Sequence, residues 1–175
     1  FQSETELAQI VMDWMTADGW DCYPEAQFHA YSKRADIAAA RFGFLHVVEC
    51  KRSMSLALLA QAQAWIGRAH YVSIAVPAGR RSSDGAYLAE KWCRFLGIGV
   101  FMVSPARSYQ GKDLEPVYVR EWPRLNRAAH REAKTRIGQL HEDMKQYSPG
   151  TQAGYSSPYR RTMDRIHNFI KTMPG

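Results

Sequence analysis

The chain has 175 residues, of which 46% are hydrophobic and 23% are charged, with 23 Lys and Arg against 17 Asp and Glu. This length and composition predict one folded domain with a substantial core, and they exclude a disordered or low-complexity chain. The net charge of +6 favours a polyanionic partner. The sequence has no apolar run long enough to cross a bilayer and no signal-peptide pattern, so we expect an intracellular protein without a membrane partner.

The three cysteines, Cys22, Cys50 and Cys93, are far apart and lack the spacing of a metal-binding motif. An odd number of scattered cysteines is typical of a reduced, cytoplasmic chain, and no zinc site is expected. Residues 1–3 resemble the remnant of a cleaved expression tag, so the fold prediction begins at Glu4.

The first predicted element is an amphipathic helix from Glu4 to about Ala17, ended by Asp18-Gly19. Its apolar residues recur at helical spacing: Leu7, Ile10, Val11, Trp14 and Met15. Residues 20–29 then predict a strand, in which Pro24 indicates a sheet edge or a bend.

Two short strands are predicted next, over residues 34–40 and 44–51, with Gly43 at the break between them. Side chains alternate between the faces of a strand, so Glu49 and Lys51 share one face. If the two strands form a hairpin, Asp36 lies beside Glu49. Two carboxylates and one lysine are then within reach of a single point.

Two neighbouring carboxylates repel each other, and a divalent cation resolves that conflict. Few, hard oxygen ligands suit Mg²⁺ or Mn²⁺, and a lysine beside them suits a developing negative charge. The sequence has three acid-x-Lys patterns, and only Glu49/Lys51 lies in an apolar strand; the other two are Glu132/Lys134 and Asp143/Lys145. A salt bridge of little energetic value is the alternative interpretation of the strand pattern.

The chain then continues with alternating helices and strands. Ser53 or Ser55 can cap a helix from Leu56 to about Ile66, in which Gln61 and Trp65 share a face while Gln63 points elsewhere. A buried strand over 69–76, a loop over 77–85, a helix over 86–96 and a strand over 99–104 follow. His46 and His70 lie in strands and are predicted to be core residues.

The last third of the chain is predicted to be mostly helical. Residues 105–116 predict a loop, 117–119 an edge strand, 123–147 one long charged helix, 148–157 a linker and 158–171 a short helix. The long helix carries basic residues that favour either a solvated face or a face along a phosphate backbone: Arg124, Arg127, Arg131, Lys134 and Arg136. We expect a domain over 4–122, an extension over 123–175, and a longer protein in which a further helical domain follows.

Together these residues resemble the PD-(D/E)XK nuclease superfamily, which has the restriction-endonuclease-like fold. The resemblance covers about residues 4 to 105, and Ala35 stands where the motif has proline, a variation that leaves the chemistry intact. It is carried by Asp36, Glu49-Cys50-Lys51 and Gln61-Ala62-Gln63-Ala64-Trp65, followed by the strand from Tyr71. It implies an α/β fold with an αβββαβ core, in which helices flank a central mixed sheet, followed here by a C-terminal helical extension.

The resemblance also implies roles for individual residues. Asp36 and Glu49 would hold Mg²⁺, for which Mn²⁺ can substitute, and the main-chain carbonyl of Cys50 would be a further ligand. Lys51 would assist the attacking water, and Gln61 would be the glutamine of the helix motif. Either Glu6 or Glu25 would add a further carboxylate, with a favourable helix-end charge as the alternative role for Glu6. The arginines expected to contact nucleic acid are Arg34, Arg52, Arg80 and Arg81.

The sequence therefore predicts a metal-dependent nuclease that hydrolyses DNA, leaving a 5′-phosphate and a 3′-hydroxyl. DNA is favoured over RNA, and a double-strand cut from one site per chain favours a homodimer. A nucleic-acid-binding module without turnover is the alternative. An enzyme acting on small phosphoesters would fit the carboxylates but not the positive charge.

Overall fold

A computed structural model of the chain describes residues 1, 3–28, 33–79, 84–104, 108–109, 112–113, 115–146 and 171. The helices are α1 (Glu4–Ala17), α2 (Leu56–Gln63), α3 (Asp84–Leu96) and α4 (His130–Ile137), with short 3₁₀ turns at Arg127–Ala129 and Glu142–Gln146. The strands are β1 (Asp21–Gln27), β2 (Arg34–Arg41), β3 (Phe44–Cys50), β4 (Tyr71–Pro77), β5 (Gly99–Val103), β6 (Ser108–Tyr109), β7 (Lys112–Asp113) and β8 (Val117–Glu121).

Six strands form one mixed sheet in the order β1-β2-β3-β4-β5-β8. The first three strands pair antiparallel, β3, β4 and β5 pair parallel through the α2 and α3 crossovers, and β8 returns antiparallel to β5. The predicted α/β class with a mixed sheet flanked by helices is therefore confirmed. No helix in the described ranges is long and apolar enough to span a membrane.

The hairpin of β2 and β3 follows the predicted pattern. Ile37 pairs with Val48 and Arg41 with Phe44, across a turn in which Phe42 and Gly43 have φ of 49° and 79°. Two consecutive positive φ angles are typical of the tight turns that match strand twist. Extending the register by one residue sets Asp36 opposite Glu49.

Helices cover both faces of the sheet and form two apolar clusters. One cluster packs α1 against the face that carries Ile37, Val48 and Phe101. The other packs Leu58 and Trp65 against the opposite face, which carries Val47 and Ile74. Val47 and Val48 are adjacent in sequence but belong to different clusters, as a period of two requires. Glu49 therefore projects on the α2 side of the sheet.

The predicted edge strand is confirmed in β1, which is the outermost strand of the sheet. Pro24 pairs with Ile37 and Ala26 with Ala35, so the same register sets Glu25 opposite Asp36 of β2. The φ of Glu25 is 51°, a left-handed conformation that is uncommon for residues other than glycine. The Glu25 side chain is buried next to Arg34 of β2.

The buried histidines confirm their predicted core positions. The Nε2 atom of His46 lies 2.9 Å from Ser73 Oγ, inside the sheet. The Leu45 amide donates to His70 Nδ1 at 3.0 Å, and His70 Nε2 lies 3.1 Å from His130 Nδ1. Cys22, Cys50 and Cys93 are free thiols.

The prediction of one long helix over 123–147 is wrong. Residues 122–126 are irregular and are held by hydrogen bonds to main-chain carbonyls elsewhere in the fold. The Arg124 side-chain Nη2 donates to the carbonyls of Arg94 and Phe95, and the Asn126 main-chain amide donates to the His70 carbonyl. Only His130–Ile137 is α-helical. Arg136 is buried against Glu132 and Phe28, so it contributes no exposed charge.

Two other C-terminal predictions have different outcomes. The predicted edge strand at 117–119 is confirmed as part of β8, but the predicted loop before it contains the short β6–β7 pair. The predicted linker over 148–157 lies outside the described residues, as does the predicted helix over 158–171 apart from Lys171.

Gly99 allows β5 to lie against β4 and the segment after β8. A Cβ at this position would overlap Ser73 Oγ and lie 2.8 Å from Pro123 Cδ. We expect Gly99→Ala to lower the free energy of unfolding by about 2–3 kcal/mol, as overpacking of a core does. Urea unfolding measures the loss. Gly138→Ala is the matched control, because its Cβ would meet only ordinary contacts at 3.5 Å or more; an equal loss in both variants would contradict the packing argument.

Candidate functional site

The site lies where β2 begins and β3 ends, as the hairpin register requires. The Cys50 main-chain amide donates to Asp36 Oδ2 at 2.7 Å, which ties the aspartate to the end of β3. Glu49 is almost completely buried, with 2% of its surface exposed. The charge of Asp36 contributes to the raised pKa of Glu49, which places the two carboxyl groups near each other. The predicted pairing of the two carboxyl groups is present.

Glu49 has two polar partners on the same oxygen. Trp65 Nε1 donates to Glu49 Oε1 at 2.5 Å, and the Lys33 ammonium lies 3.5 Å from that atom. Trp65 reaches this position because it follows α2, whose N-terminus is capped by the Ser55 hydroxyl. The second of the two candidate capping serines is thus the cap.

Both carboxyl groups have raised pKa values. Burial raises the pKa of Glu49 to about 7, with a further contribution from the charge of Asp36, against the opposing effects of Trp65 and Lys33. Burial also raises the pKa of Asp36, although the Cys50 amide and Lys51 oppose the shift. Burial thus disfavours the ionised form of both carboxyl groups, and a cation beside them would favour it.

Lys51 contacts an acid of the first helix. Its ammonium lies 2.7 Å from Glu4 Oε2. Burial lowers the pKa of Lys51, but its hydrogen bond to Glu4 and the charges of Asp36 and Glu49 outweigh that effect, so the pKa is raised. Lys51 is therefore a cation at neutral pH, and its chemistry is electrostatic.

The first-helix acid at the site is Glu4, which the sequence analysis did not select. Glu6 lies exposed on the opposite side of the same turn, where its main-chain amide donates to the Ser3 hydroxyl cap. Two residues apart on a helix differ by about 200° in direction, so only one of the two acids can face the sheet. The rotation of α1 about its axis determines which of the two acids faces the sheet. The sequence signal for that rotation was the apolar stripe at Leu7 and Val11.

Glu25 reaches the site from β1, where it lies opposite Asp36 in the strand register. Its Oε2 lies 2.6 Å from Arg34 Nε, and its side chain is 8% exposed. Its charge contributes to the raised pKa of Asp36, which places Glu25 near that carboxylate. Arg34 is thus engaged by Glu25, and the structure brings this predicted acid and this predicted arginine together.

Gln61 takes part through its main chain. Its carbonyl accepts a hydrogen bond from the Lys33 ammonium at 2.6 Å. Its side-chain Oε1 is buried and has no hydrogen-bond partner among the described residues. Gln63 is exposed, whereas Gln61 is partly buried, and the role of Gln61 as the glutamine of the site stays a prediction.

The remaining predicted contacts are only partly described. Arg52 is exposed directly after Lys51. Arg80 and Arg81 lie outside the described residues. The thiol of Cys50 is buried and its pKa is raised well above the usual value by burial, so its chemistry at the site is limited to its main chain.

The donor set fits a hard cation held by few protein ligands. In the described part of the chain, no group of three or more His, Cys, Asp or Glu side chains is arranged to hold a metal ion. Mg²⁺, however, is commonly bound by one or two carboxylates, with water and substrate phosphate as its other ligands. The partly buried Asp36 and the buried Glu49 meet that requirement.

Comparison with known proteins finds one informative structure. A solved protein of unknown function from Silicibacter pomeroyi is similar to this chain with a TM-score of 0.54 and 16% identity, over 96% of this chain and 92% of that one. At this identity the likeness concerns the fold. No family model and no curated protein matches the chain.

The buried Glu49 predicts a pH-dependent stability. A carboxyl group whose pKa is raised in the folded state destabilises the fold as pH rises from its unfolded value of about 4.5 to about 7. Relative to the wild type, Glu49→Gln should therefore gain stability between pH 5 and pH 8, by up to about 3 kcal/mol. Urea unfolding at each pH measures the difference.

The exposed Glu132 provides the control for this pH series. Arg136 lowers the pKa of Glu132, so Glu132→Gln should show no gain as pH rises. A stability difference for Glu49→Gln that stays constant from pH 5 to pH 8 would contradict the raised pKa.

Proposed function

We propose that the chain is a metal-dependent nuclease of the PD-(D/E)XK type that hydrolyses phosphodiester bonds in DNA. One observation carries the proposal: Asp36, Glu49 and Lys51 meet at the end of one hairpin, with both carboxyl groups in surroundings that raise their pKa values. A buried like-charge pair beside a lysine is unfavourable for stability, and perturbed groups of this kind are concentrated at functional sites.

The order of the elements supports the family assignment. From the N-terminus the chain runs α1, β1, β2, β3, α2, β4, and the sheet is antiparallel on the β1 side and parallel from β3 to β5. This is the αβββαβ order that the family resemblance implies. The site lies at the end of the central hairpin, as the motif requires.

Each residue of the site has a distinct role in the proposed reaction. Asp36 and Glu49 would hold the cation, together with the main-chain carbonyl of Cys50. A bound Mg²⁺ or Mn²⁺ would activate water and neutralise charge on the phosphate. Lys51, held as a cation by Glu4, would stabilise the negative charge that develops on the phosphate oxygens. The free Oε1 of Gln61 is an acceptor that can orient a water molecule.

Nucleic acid is the substrate that best matches the charge of the chain. The net charge of +6 favours a polyanion, and the exposed Arg52 follows Lys51 at the open end of β3. We propose DNA, with Arg52, Arg80 and Arg81 as phosphate contacts. A double-strand cut would require two chains, because each chain carries one such site.

A second candidate function is supported by a separate observation. Glu49 is already engaged by Trp65 and Lys33, and Lys51 by Glu4, so the acids and the lysine can serve as a structural network on a frame that binds nucleic acid without cleaving it. The two functions differ in their response to metal. A binding module would show a steep salt dependence of DNA affinity without any effect of Mg²⁺ or Mn²⁺.

Substitution of the three charged residues tests the catalytic roles. Asp36→Ala, Glu49→Ala and Lys51→Ala should each lower DNA cleavage by at least about 100-fold, because each removes a charge from the reacting centre. Single-turnover cleavage of labelled DNA with Mn²⁺ measures the loss, and circular dichroism checks the fold. Asp18→Ala is the control, since Asp18 pairs with Arg41 at the other end of the sheet. Wild-type cleavage in any of the three variants would remove that residue from the mechanism.

Metal removal tests the function as a whole. Single-stranded, duplex and branched DNA, and the corresponding RNA, should be incubated with Mg²⁺, with Mn²⁺ and with chelator. We expect cleavage of at least one DNA substrate with either metal, no cleavage with chelator, and products that carry a 5′-phosphate. DNA binding without cleavage under every condition would favour the binding module, and neither binding nor cleavage would refute both functions.

A further inference from the structure

Lys33 occupies a position at the site that the family motif does not assign. Its ammonium lies 3.5 Å from Glu49 Oε1, donates to the Gln61 carbonyl at 2.6 Å, and lies 5.9 Å from the centroid of the Trp65 ring. Its three contacts come from β3, from α2 and from Trp65 in the turn after α2. The side chain of Lys33 is 31% exposed, whereas that of Glu49 is 3% exposed. A solvent-accessible cation therefore reaches inward to a buried carboxylate.

A purely structural role does not explain this arrangement well. An ion pair with one partly exposed member contributes little to stability, typically below about 1 kcal/mol. The charge of Lys33 is nevertheless needed locally, because Asp36 also acts on Glu49 and burial disfavours the charged form. Lys33 thus supplies the positive charge that a divalent cation would otherwise supply.

The other acids at the site repeat this pattern. Glu4 has Lys51 at 2.7 Å and Glu25 has Arg34 at 2.6 Å. Asp36 accepts a hydrogen bond from the Cys50 main-chain amide. Of these cations, Lys33 is the one beside a predicted metal ligand, Glu49. Its ammonium and the Trp65 indole both approach Glu49 Oε1, so Lys33 lies where a metal ion bound to that oxygen would lie.

We propose that Lys33 is an internal counter-ion of Glu49 that competes with the divalent cation and lowers the affinity of the free protein for metal. The proposal rests on the proposed function, since it assumes that Glu49 is a metal ligand. Occupation of Glu49 by a cation requires the ammonium to leave the carboxylate oxygen. Because Lys33 is one-third exposed, it can turn into solvent without breaking the core.

The test is Mn²⁺ affinity in the absence of nucleic acid. Lys33→Met keeps the aliphatic stem and removes the charge, so it should bind Mn²⁺ about tenfold more tightly than the wild type, through loss of both the competing ion pair and the repulsion between like charges. Isothermal titration calorimetry at pH 8 measures the dissociation constants. Lys33→Gln provides a second neutral variant, and circular dichroism checks the fold of each.

Three controls separate the charge from other effects. Lys33→Arg keeps the charge and should bind Mn²⁺ as the wild type does. Lys91→Met removes a lysine that lies over Tyr87 on α3 and should change nothing. The double variant Lys33→Met/Glu49→Gln should not show the gain in Mn²⁺ affinity, because it lacks the Glu49 carboxylate that the loss of Lys33 would free.

The outcomes decide the proposal independently of the enzyme activity. The proposal is overturned, even if the wild type cleaves DNA, when both neutral variants bind Mn²⁺ no more tightly than the wild type. It is also overturned when Lys33→Arg gains as much Mn²⁺ affinity as the neutral variants do. Tighter Mn²⁺ binding by the neutral variants supports it even if no DNA is cleaved, in which case the proposed function fails alone. Absence of Mn²⁺ binding in the wild type and in both neutral variants overturns it as well.

Discussion

The pair formed by the partly buried Asp36 and the buried Glu49 is the constraint on which the rest of the site depends. Two carboxyl groups on one face of a hairpin repel each other, and burial deprives them of water. The fold offsets this with a main-chain amide for Asp36 and with the Trp65 indole and the Lys33 ammonium for Glu49. These partners come from the end of β3, from the turn after α2 and from the residue before β2. The carboxylate pair therefore fixes how the ends of these elements meet.

The topology explains why this meeting point lies where it does. The β3–α2–β4 crossover is parallel, so the chain must leave β3 at its C-terminal end and pass over the α2 face before it returns. Trp65 lies on that return path, directly above the face on which Glu49 projects. On the other side, the register of β1 with β2 sets Glu25 opposite Asp36. An antiparallel hairpin and a parallel crossover thus meet where β3 ends.

The sequence predicted those features of the site that depend on local periodicity. Alternation along β2 and β3 was sufficient to place Asp36 beside Glu49. The choice of Glu4 over Glu6 depended on how α1 is rotated against the sheet, which is a tertiary property. The long helix predicted after Pro123 was wrong for a related reason, because Arg124 and other residues of that segment bond to distant carbonyls and local charge patterns do not reveal them.

The energetics of the cations decide how such a site can change state. Lys33 and Lys51 are both about one-third exposed, with side-chain exposures of 31% and 30%. Their ion pairs are therefore worth little, and breaking one costs little. The carboxyl group of Glu49, in contrast, is buried, and its ionised form requires a positive neighbour. The site consequently needs a cation but is not committed to a particular one. An ammonium that can return to water at small cost is the kind of occupant that a more highly charged ion can replace.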